Sequence, residues 1–213
     1  MIITDIKKEK KHLCRVIFDC GREQLLDIDI VSINCLHKDD CISEEKLSEL
    51  VEQSDYERAK QRALWYLDSR AYTEKALYDK LILAGFEKKA SAKVIARLVT
   101  LGLLDDRAYA KNYLERCIDA NISKREAYHK MLSRGINKDL INELLADTEV
   151  DEKSQIKAII DKKYRLKLEN PENIKKIYAA LIRKGFSFGA VKEVLKDYGE
   201  ELLAANDEFS EEF

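Results

Sequence analysis

One serine in this sequence lies in a pattern that could support nucleophilic chemistry. Gly185-Phe186-Ser187-Phe188-Gly189 matches the Gly-x-Ser-x-Gly nucleophile elbow, in which a strained strand-to-helix turn presents a serine to a histidine and an acid. Ser187 lies between two predicted helices instead, at a repeat position that Glu87 and Asn137 also occupy. Because serine and asparagine are good helix N-caps, we predict that Ser187 caps a helix and attacks no substrate.

A second group of residues, near the start of the chain, has the side chains of a zinc site. Its four thiols and two imidazoles belong to Cys14, Cys20, Cys35, Cys41, His12 and His37. Structural zinc usually takes cysteine pairs two to four residues apart, whereas five residues separate each pair here. We therefore expect free, buried thiols, with a zinc site as the alternative.

The remaining patterns that mark enzymes do not occur at the required spacing. The histidines, His12, His37 and His129, are too few and too dispersed for a catalytic triad or a zinc hydrolase. No glycine-rich loop is followed by Lys-Ser or Lys-Thr, so no phosphate-binding loop is expected. The sequence therefore predicts a protein that is not an enzyme and that carries no cofactor or metal.

The segment that positions Ser187 is the third copy of a helix-ending motif that recurs every 50 residues. Each copy has two apolar residues three and four positions before a glycine and a bulky apolar residue after it. The copies are Lys80 to Phe86, Lys130 to Ile136 and Ala180 to Phe186. Glycine at this position can take the left-handed conformation that closes a helix. Upstream, side-chain N-caps are predicted at Thr73, Ser123 and Asn173.

Each copy also carries two apolar stripes at helical spacing. The first contains Leu77, Ala127 and Ile177, and the second contains Val94, Leu144 and Val194. Two short helices cannot hide both stripes, so a third helix or a neighbouring copy must cover them. The sequence therefore predicts tandem repeats of helical units. Beside the first stripe, Tyr78, Tyr128 and Tyr178 are expected to pack against the core in preference to stacking on bases.

The start of the chain has the pattern of a small antiparallel sheet. Its predicted strands are Ile2 to Ile6, Leu13 to Phe18 and Leu25 to Ile30, and the sheet should lean on the first helix or a partner. From Ser43 the pattern becomes helical, with either a break near Ser54 or one long helix. After that position, Ala59, Ala63, Leu64 and Leu67 form a stripe with Trp65 and Tyr66 beside it.

These patterns divide the chain into six predicted segments. A β-rich segment (1–42), a linking helix (43–58) and an acidic tail (199–213) flank the repeats. The three-helix repeats occupy 59–104, 105–150 and 151–198. With seven glycines and one proline in 213 residues, helix should dominate.

Formal charge is unevenly distributed, although the whole chain carries only -2. Residues 1–58 carry -5, whereas 59–104, 105–150 and 151–196 carry +5, -1 and +6. The near-neutral total argues against a general nucleic-acid binder. A basic repeat region between acidic ends suits a partner that is part protein and part polyanion.

Four motifs occur in order along residues 59–145. They are Tyr66 to Glu74, Lys80 to Phe86, Gly102 to Asp106 with Tyr109, Ala110 and Arg116, and Leu132 to Ile136. Together they resemble the RecX family of bacterial recombination regulators, and the weaker third copy extends the resemblance to about residue 198. Asn121 stands where the family has a glycine before the second cap, and asparagine tolerates the same left-handed geometry.

The resemblance implies a mainly α-helical fold of three tandem three-helix repeats that form a curved, elongated body. It also implies a function. Members of this family bind along the helical groove of the RecA–DNA filament and inhibit strand exchange, ATP hydrolysis and the co-protease role of the filament, which modulates DNA repair and the SOS response. The alternatives are an autonomous DNA-binding protein with helix-turn-helix-like units and a generic helical scaffold.

Basic residues on the predicted helices of the second and third repeats are the candidate binding surface. As a hypothesis, they face the filament and contact acidic recombinase surface or DNA phosphate. They are Arg107, Lys111, Lys124, Arg125, Lys130 and Arg134 in the second repeat, and Lys175, Lys176, Arg183, Lys184 and Lys192 in the third. We expect DNA to be contacted weakly or through the filament, and the chain to be a monomer.

The sequence also bears on cellular location. Neither a signal peptide nor an apolar run of about 20 residues is evident, so no membrane association is expected. The five cysteines are odd in number and scattered, which does not resemble a disulfide framework. We therefore expect a cytoplasmic protein with reduced thiols.

Overall fold

The computed structural model describes residues 1–9, 12–168 and 170–203. The described chain is mainly helical with a three-stranded antiparallel sheet at its start, which confirms the predicted fold class. It forms two compact units, Met1–Asp105 and Asp106–Phe213. No helix of these residues is long and apolar enough to cross a membrane. Of the predicted acidic tail, residues 204–213 lie outside the described residues.

The first unit begins with the sheet. Its strands are β1 (Ile3–Lys8), β2 (Leu13–Phe18) and β3 (Glu23–Asp27), paired in that order. Cys14, Val16 and Phe18 alternate inward along β2, as expected for a sheet with one buried face. They pack with Leu47 and Leu50 of the following long helix. The sheet therefore leans on the first long helix, as predicted.

The third predicted strand, Leu25 to Ile30, is only half correct because a short helix replaces its second half. This helix is α1 (Ile28–Ile33). Asp27 ends the strand: its carboxylate accepts a hydrogen bond from Asp29 N at 2.9 Å and caps the helix. Its own N–H donates to Ser54 Oγ at 2.7 Å. The change from strand to helix at Asp27 therefore combines a local cap with a long-range contact that a local pattern does not encode.

A single helix of 26 residues, α2 (Glu44–Ser69), follows, so there is no break near Ser54 and the one-helix alternative is correct. Ser54 is buried and its hydroxyl accepts the bond from Asp27, so it holds the sheet in place and does not end the helix. The second half of α2 packs through Ala59 and Ala63 on α3 (Glu74–Leu83) and α4 (Lys88–Thr100). These three helices form the first repeat.

The second unit contains the other two repeats. Its helices are α5 (Asp106–Asp119), α6 (Lys124–Ser133), α7 (Lys138–Asp147), α8 (Glu152–Lys163), α9 (Pro171–Arg183) and α10 (Phe188–Leu203). A 3-10 turn, Arg165–Lys167, follows α8. One core gathers around Leu114, Met131 and Ile141, and another around Ile156 and Leu181. Each core is closed by three helices, as the two-stripe pattern predicts.

The repeated glycines end their helices as predicted. Gly85, Gly135 and Gly185 have φ values of +90°, +82° and +88°. In the first copy Phe86 N donates to Leu81 O at 3.2 Å and Gly85 N to Ile82 O at 3.0 Å, which is the Schellman arrangement. The other copies repeat these bonds. Asn121, with φ of +54°, closes α5 in the same left-handed conformation that the sequence predicts for it.

Two of the three predicted helix caps are confirmed. Thr73 accepts a bond from Ala76 N at 3.1 Å, and Ser123 accepts one from Glu126 N at 3.2 Å. The third prediction, Asn173, is wrong because α9 begins three positions earlier. Asn170 caps it and Pro171 occupies the first turn, where the missing N–H of proline costs no hydrogen bond. Asn173 instead lies inside that turn.

Candidate partner-binding surface

Ser187 caps a helix, as predicted. Its hydroxyl oxygen lies 3.3 Å from Ala190 N in the first turn of α10. The same hydroxyl donates to the Glu152 carboxylate, and Ser187 N–H donates to the other Glu152 oxygen at 2.8 Å. The residue follows helix α9, so the strand-to-helix turn of a nucleophile elbow is missing. Ser187 therefore joins α8 to α10 and is held in a structural role.

The N-terminal cysteines are free, but only one of them is buried. Cys14 is buried in the sheet, and burial raises the pKa of its thiol. The expectation of burial is wrong for Cys20, Cys35 and Cys41, which are exposed. They lie in turns and at the sheet margin, where no second layer covers them. Within the described residues, His, Cys, Asp and Glu side chains form no group of three that could hold a metal.

The tyrosines Tyr78, Tyr128 and Tyr178 are partly buried and pack against the cores of their repeats, as predicted. Tyr128 also makes an edge-on contact with His129, at 5.4 Å between ring centroids. The ring centroids of Tyr178 and Phe188 are 6.5 Å apart. Their repeated position is therefore explained by core packing.

Two of the candidate cations, Lys130 and Arg134, lie on the side of α6 that faces α5. Arg134 places its guanidinium 4.3 Å from the ring centroid of Tyr113 on α5. Lys130 Nζ lies 2.9 Å from Glu126, one turn earlier on the same helix. The hydrogen bond to Glu126 raises the pKa of Lys130. These two cations form one group, partly neutralised by Glu126.

Arg125 lies on a different side of α6. It is five positions before Lys130, which corresponds to about 140° around a helix. Its Cβ would lie 2.9 Å from a Cβ atom placed on Gly185, so it is close to the backbone of the third repeat. The predicted row of cations on α6 is therefore divided between two sides of the helix.

Arg107 and Lys124 make contacts inside the second repeat. Arg107 on α5 forms an ion pair with Glu143 on α7. Lys124 Nζ donates to Leu145 O at 2.9 Å and to Thr148 O, so it satisfies carbonyl groups at the end of α7. Both side chains are therefore used to hold the repeat together. Lys111, one turn after Arg107, is exposed on α5.

The candidate cations of the third repeat lie mostly on the exposed surface. Lys176 and Arg183 are seven positions apart on α9, about 20° around the helix, so they share one outer stripe. Lys175 is exposed beside that stripe, and Lys192 is exposed on α10. Lys184 is half-buried, and its carbonyl accepts a hydrogen bond from the Ser123 hydroxyl. The structure thus brings Lys176 and Arg183 together and leaves Lys184 at the contact with the second repeat.

Comparisons with known proteins match both ends of the repeat region. The family descriptions "RecX, first three-helix domain" and "RecX, third three-helix domain" match residues 59–98 and 151–195. The protein "Regulatory protein RecX" of Clostridium tetani is 32% identical over 159 residues, which cover 70% of this chain and 71% of that protein. The chain belongs to the RecX family.

Other RecX proteins match almost the whole chain. "Regulatory protein RecX" of Caldanaerobacter subterraneus subsp. tengcongensis is 28% identical over 198 residues, covering 92% of this chain and 98% of that protein. A crystal structure of regulatory protein RecX has a TM-score of 0.68 at 22% identity, with 92% of this chain and 98% of that chain covered. At this identity the structural similarity shows a shared fold.

Sequence reasoning missed one group of side chains in this RecX protein, at the surface of the first repeat. We call it the first-repeat cluster; its members are Arg62, Trp65, Tyr66, Arg70, Tyr72 and Lys80. The signal was present, because this repeat carries +5 and contains the only tryptophan of the chain. The helical pattern predicts Trp65 beside the apolar stripe, whereas 61% of its surface is exposed.

Proposed function

We propose that this chain is a non-enzymatic regulator that binds the RecA–DNA filament and inhibits its recombinase, ATPase and co-protease activities. Family membership carries the proposal, because the relatives are named regulatory protein RecX. The tandem three-helix repeats support it, since each repeat exposes charged helix faces that a large partner can contact. By this route the chain modulates DNA repair and the SOS response.

The proposed contact surface consists of the eleven cations of the second and third repeats. Among them, Lys176 and Arg183 form an outer stripe of α9, and Lys130 and Arg134 form a group beside α5. Arginine can bind a carboxylate or phosphate through two hydrogen bonds, whereas lysine supplies mainly a point charge. Acidic recombinase surface and DNA phosphate are therefore both suitable partners. The chain acts in the cytoplasm as a monomer and needs no cofactor.

Strand exchange and ATP hydrolysis by RecA, measured with increasing amounts of the purified chain, test the proposal. We expect both activities to fall. Reversing the charges of Arg125, Lys130 and Arg134 together should raise the concentration needed for half-inhibition. The matched control is Lys138→Glu with Lys162→Glu and Lys163→Glu, which makes the same change in charge on exposed lysines of the same unit.

Because α6 divides these cations between two sides, the triple variant should be separated into two parts. Lys130→Glu with Arg134→Glu tests the side that faces α5, and Arg125→Glu tests the side near Gly185. We expect the first variant to account for most of the lost inhibition, because Arg125 lies against the third repeat. Full inhibition by the triple variant would remove α6 from the contact surface. No inhibition by the unaltered chain would contradict the proposed function itself.

A further inference from the structure

The first-repeat cluster is a continuous set of contacts between rings and cations. Arg62 Cζ lies 5.5 Å from the ring centroid of Trp65, one turn later on α2. The rings of Trp65 and Tyr66 are 5.3 Å apart, and Lys80 Nζ from α3 lies 5.3 Å from the centroid of Tyr66. Two helices therefore bring their cations to the same pair of rings.

The cluster extends across the turn between α2 and α3. The rings of Tyr66 and Tyr72 meet edge-on at 6.1 Å, and Arg70 Cζ lies 4.7 Å from the centroid of Tyr72. Tyr72 is buried and Tyr66 is half-buried, so these two rings form the inner side of the cluster. Trp65 is the ring that remains open, with 61% of its surface exposed.

Among the described residues, the cations of the cluster have no paired carboxylate beside them to balance their charge. In the part of the chain that the structure describes, no ion pair joins Arg62, Arg70 or Lys80 to a carboxylate. Arg58, one turn before Arg62, is paired with Asp55 at 3.3 Å and is therefore not included. Arg62 thus lies against the exposed indole, and Lys80 and Arg70 lie over the neighbouring rings of Tyr66 and Tyr72, each without an ion pair to an acid of the described chain.

An exposed aromatic ring beside unpaired cations is the combination that binds single-stranded nucleic acid. Every base has a π-face that can stack on an aromatic ring, while cations at the margin attract the phosphates. We propose that the first-repeat cluster is a binding site for single-stranded DNA, in which an unpaired base stacks on Trp65 and phosphates lie near Arg62, Arg70 and Lys80.

The features of the cluster favour a single strand over duplex DNA and over a protein partner. In a duplex the base faces are stacked on one another, so an exposed indole gains nothing from them. An acidic protein surface would satisfy the cations but would leave the indole without a flat partner. The site needs no recombinase, so it goes beyond the proposed regulatory function and does not depend on it.

The single tryptophan makes the site directly observable, because Trp65 is the only source of indole fluorescence in the chain. The full chain is titrated with three probes at low salt: a 20-nucleotide oligo(dT), an oligomer of abasic nucleotides of equal length, and a 20-base-pair duplex. We expect the oligo(dT) to quench the fluorescence at the lowest concentration. Equal quenching by the abasic oligomer, or no quenching by oligo(dT), would overturn the proposal.

Variants then distinguish the contribution of base stacking to affinity from that of charge. Binding of labelled oligo(dT) is measured by fluorescence anisotropy. Trp65→Ala should weaken binding roughly 5- to 150-fold, and Trp65→Phe less, because stacking on an aromatic ring is worth that much per base. Arg62→Ala with Lys80→Ala should reduce the slope of log affinity against log salt by about 0.7 for each lost phosphate contact.

Arg97→Ala is the matched control, because it removes an exposed cation of the same repeat outside the cluster. It should leave the discrimination between oligo(dT) and the abasic oligomer unchanged. Unchanged oligo(dT) affinity in Trp65→Ala, with native helicity and thermal midpoint by circular dichroism, would overturn the site. Loss of filament inhibition in Trp65→Ala without loss of oligo(dT) binding would also overturn it and would indicate a protein partner. Inhibition by the unaltered chain is measured separately, so either result leaves the regulatory proposal standing.

Discussion

The first and second repeats share a sequence motif but use their cations in different ways. In the second repeat, Arg107 is paired with Glu143, Lys130 with Glu126, and Lys124 with carbonyl groups of α7. In the first repeat Lys89 and Lys93 are likewise paired with Glu52, but Arg62 and Lys80 rest on aromatic rings and have no carboxylate partner within the described residues. The net charge of a repeat therefore does not show which of its cations can bind a polyanion. The field outside a repeat depends on how many of its cations are neutralised internally.

The helix-ending glycines of the first and third repeats also differ, in what surrounds them. Gly85 and Gly185 have nearly the same backbone conformation, with φ values of +90° and +88°. Apart from its own chain neighbours, no atom lies within 4 Å of a Cβ placed on Gly85, whereas a Cβ on Gly185 would meet Arg125 Cβ and Ser123 Oγ, each at 2.9 Å. The motif of the third repeat thus touches the second repeat directly, while the surroundings of the first motif are open.

The largest expected effect comes from adding a Cβ at these glycines. Gly85→Ala should lower the free energy of unfolding by about 1 kcal/mol, from the left-handed conformation alone. Gly185→Ala should lower it by about 2–4 kcal/mol, because overpacking between fixed atoms is added to the same strain. Urea unfolding followed by circular dichroism measures both values.

Substituting asparagine at the same two glycines distinguishes the strain of the left-handed backbone from the clash of a Cβ with neighbouring atoms. It tolerates the left-handed conformation, so Gly85→Asn should be nearly neutral. Gly185→Asn should remain destabilising because its Cβ meets the same atoms of Ser123 and Arg125. If the two asparagine variants lost equal free energy of unfolding, the second and third repeats would not approach each other closely at Gly185. The two glycines would then not differ in their surroundings.

A second contact between these repeats involves Ser123. Its hydroxyl caps α6 and also donates to the carbonyl of Lys184, so Ser123→Ala removes two interactions. We expect a loss of about 2 kcal/mol, compared with about 0.5–1 kcal/mol for Asn137→Ala, which removes a cap alone. Thermal or urea unfolding of the two variants tests the difference. A loss at Ser123 no larger than that at Asn137 would mean that the bond to Lys184 adds nothing.

Much of the repeat architecture could be predicted because its signals are local. The left-handed closure at Gly85 and Asn121, and the caps Thr73 and Ser123, depend on residues within one helical turn. The misplaced cap at Asn173 is a local error of three positions, whereas the error in the third strand involves a residue far along the chain. Ile28 begins a helix capped by Asp27, and the N–H of Asp27 is held by Ser54, 27 positions away, a contact that has no local sequence signal.

The candidate surface could be predicted only in part, for a related reason. Sequence spacing identifies exposed cations such as Lys176 and Arg183, but it does not show that Arg107 faces Glu143 or that Lys124 reaches the end of α7. Glu143 is 36 positions from Arg107 and Leu145 is 21 positions from Lys124, so these partners become neighbours only when the repeat folds. Trp65 was missed because a ring beside an apolar stripe is usually expected to be buried.

The smallest expected effect is that of the exposed ion pair between Arg107 and Glu143. Their side chains are 58% and 47% exposed, so solvent screens the attraction and the pair should contribute only about 0.2–0.5 kcal/mol. A double-mutant cycle with Arg107→Ala and Glu143→Ala, repeated at low and high salt, measures the coupling, and Lys111→Ala serves as an exposed control on the same helix. The coupling should vanish at high salt. If it exceeded about 1 kcal/mol, Arg107 would be held too firmly within the repeat to bind a partner at little cost, and the second repeat would contribute even less to the proposed contact surface.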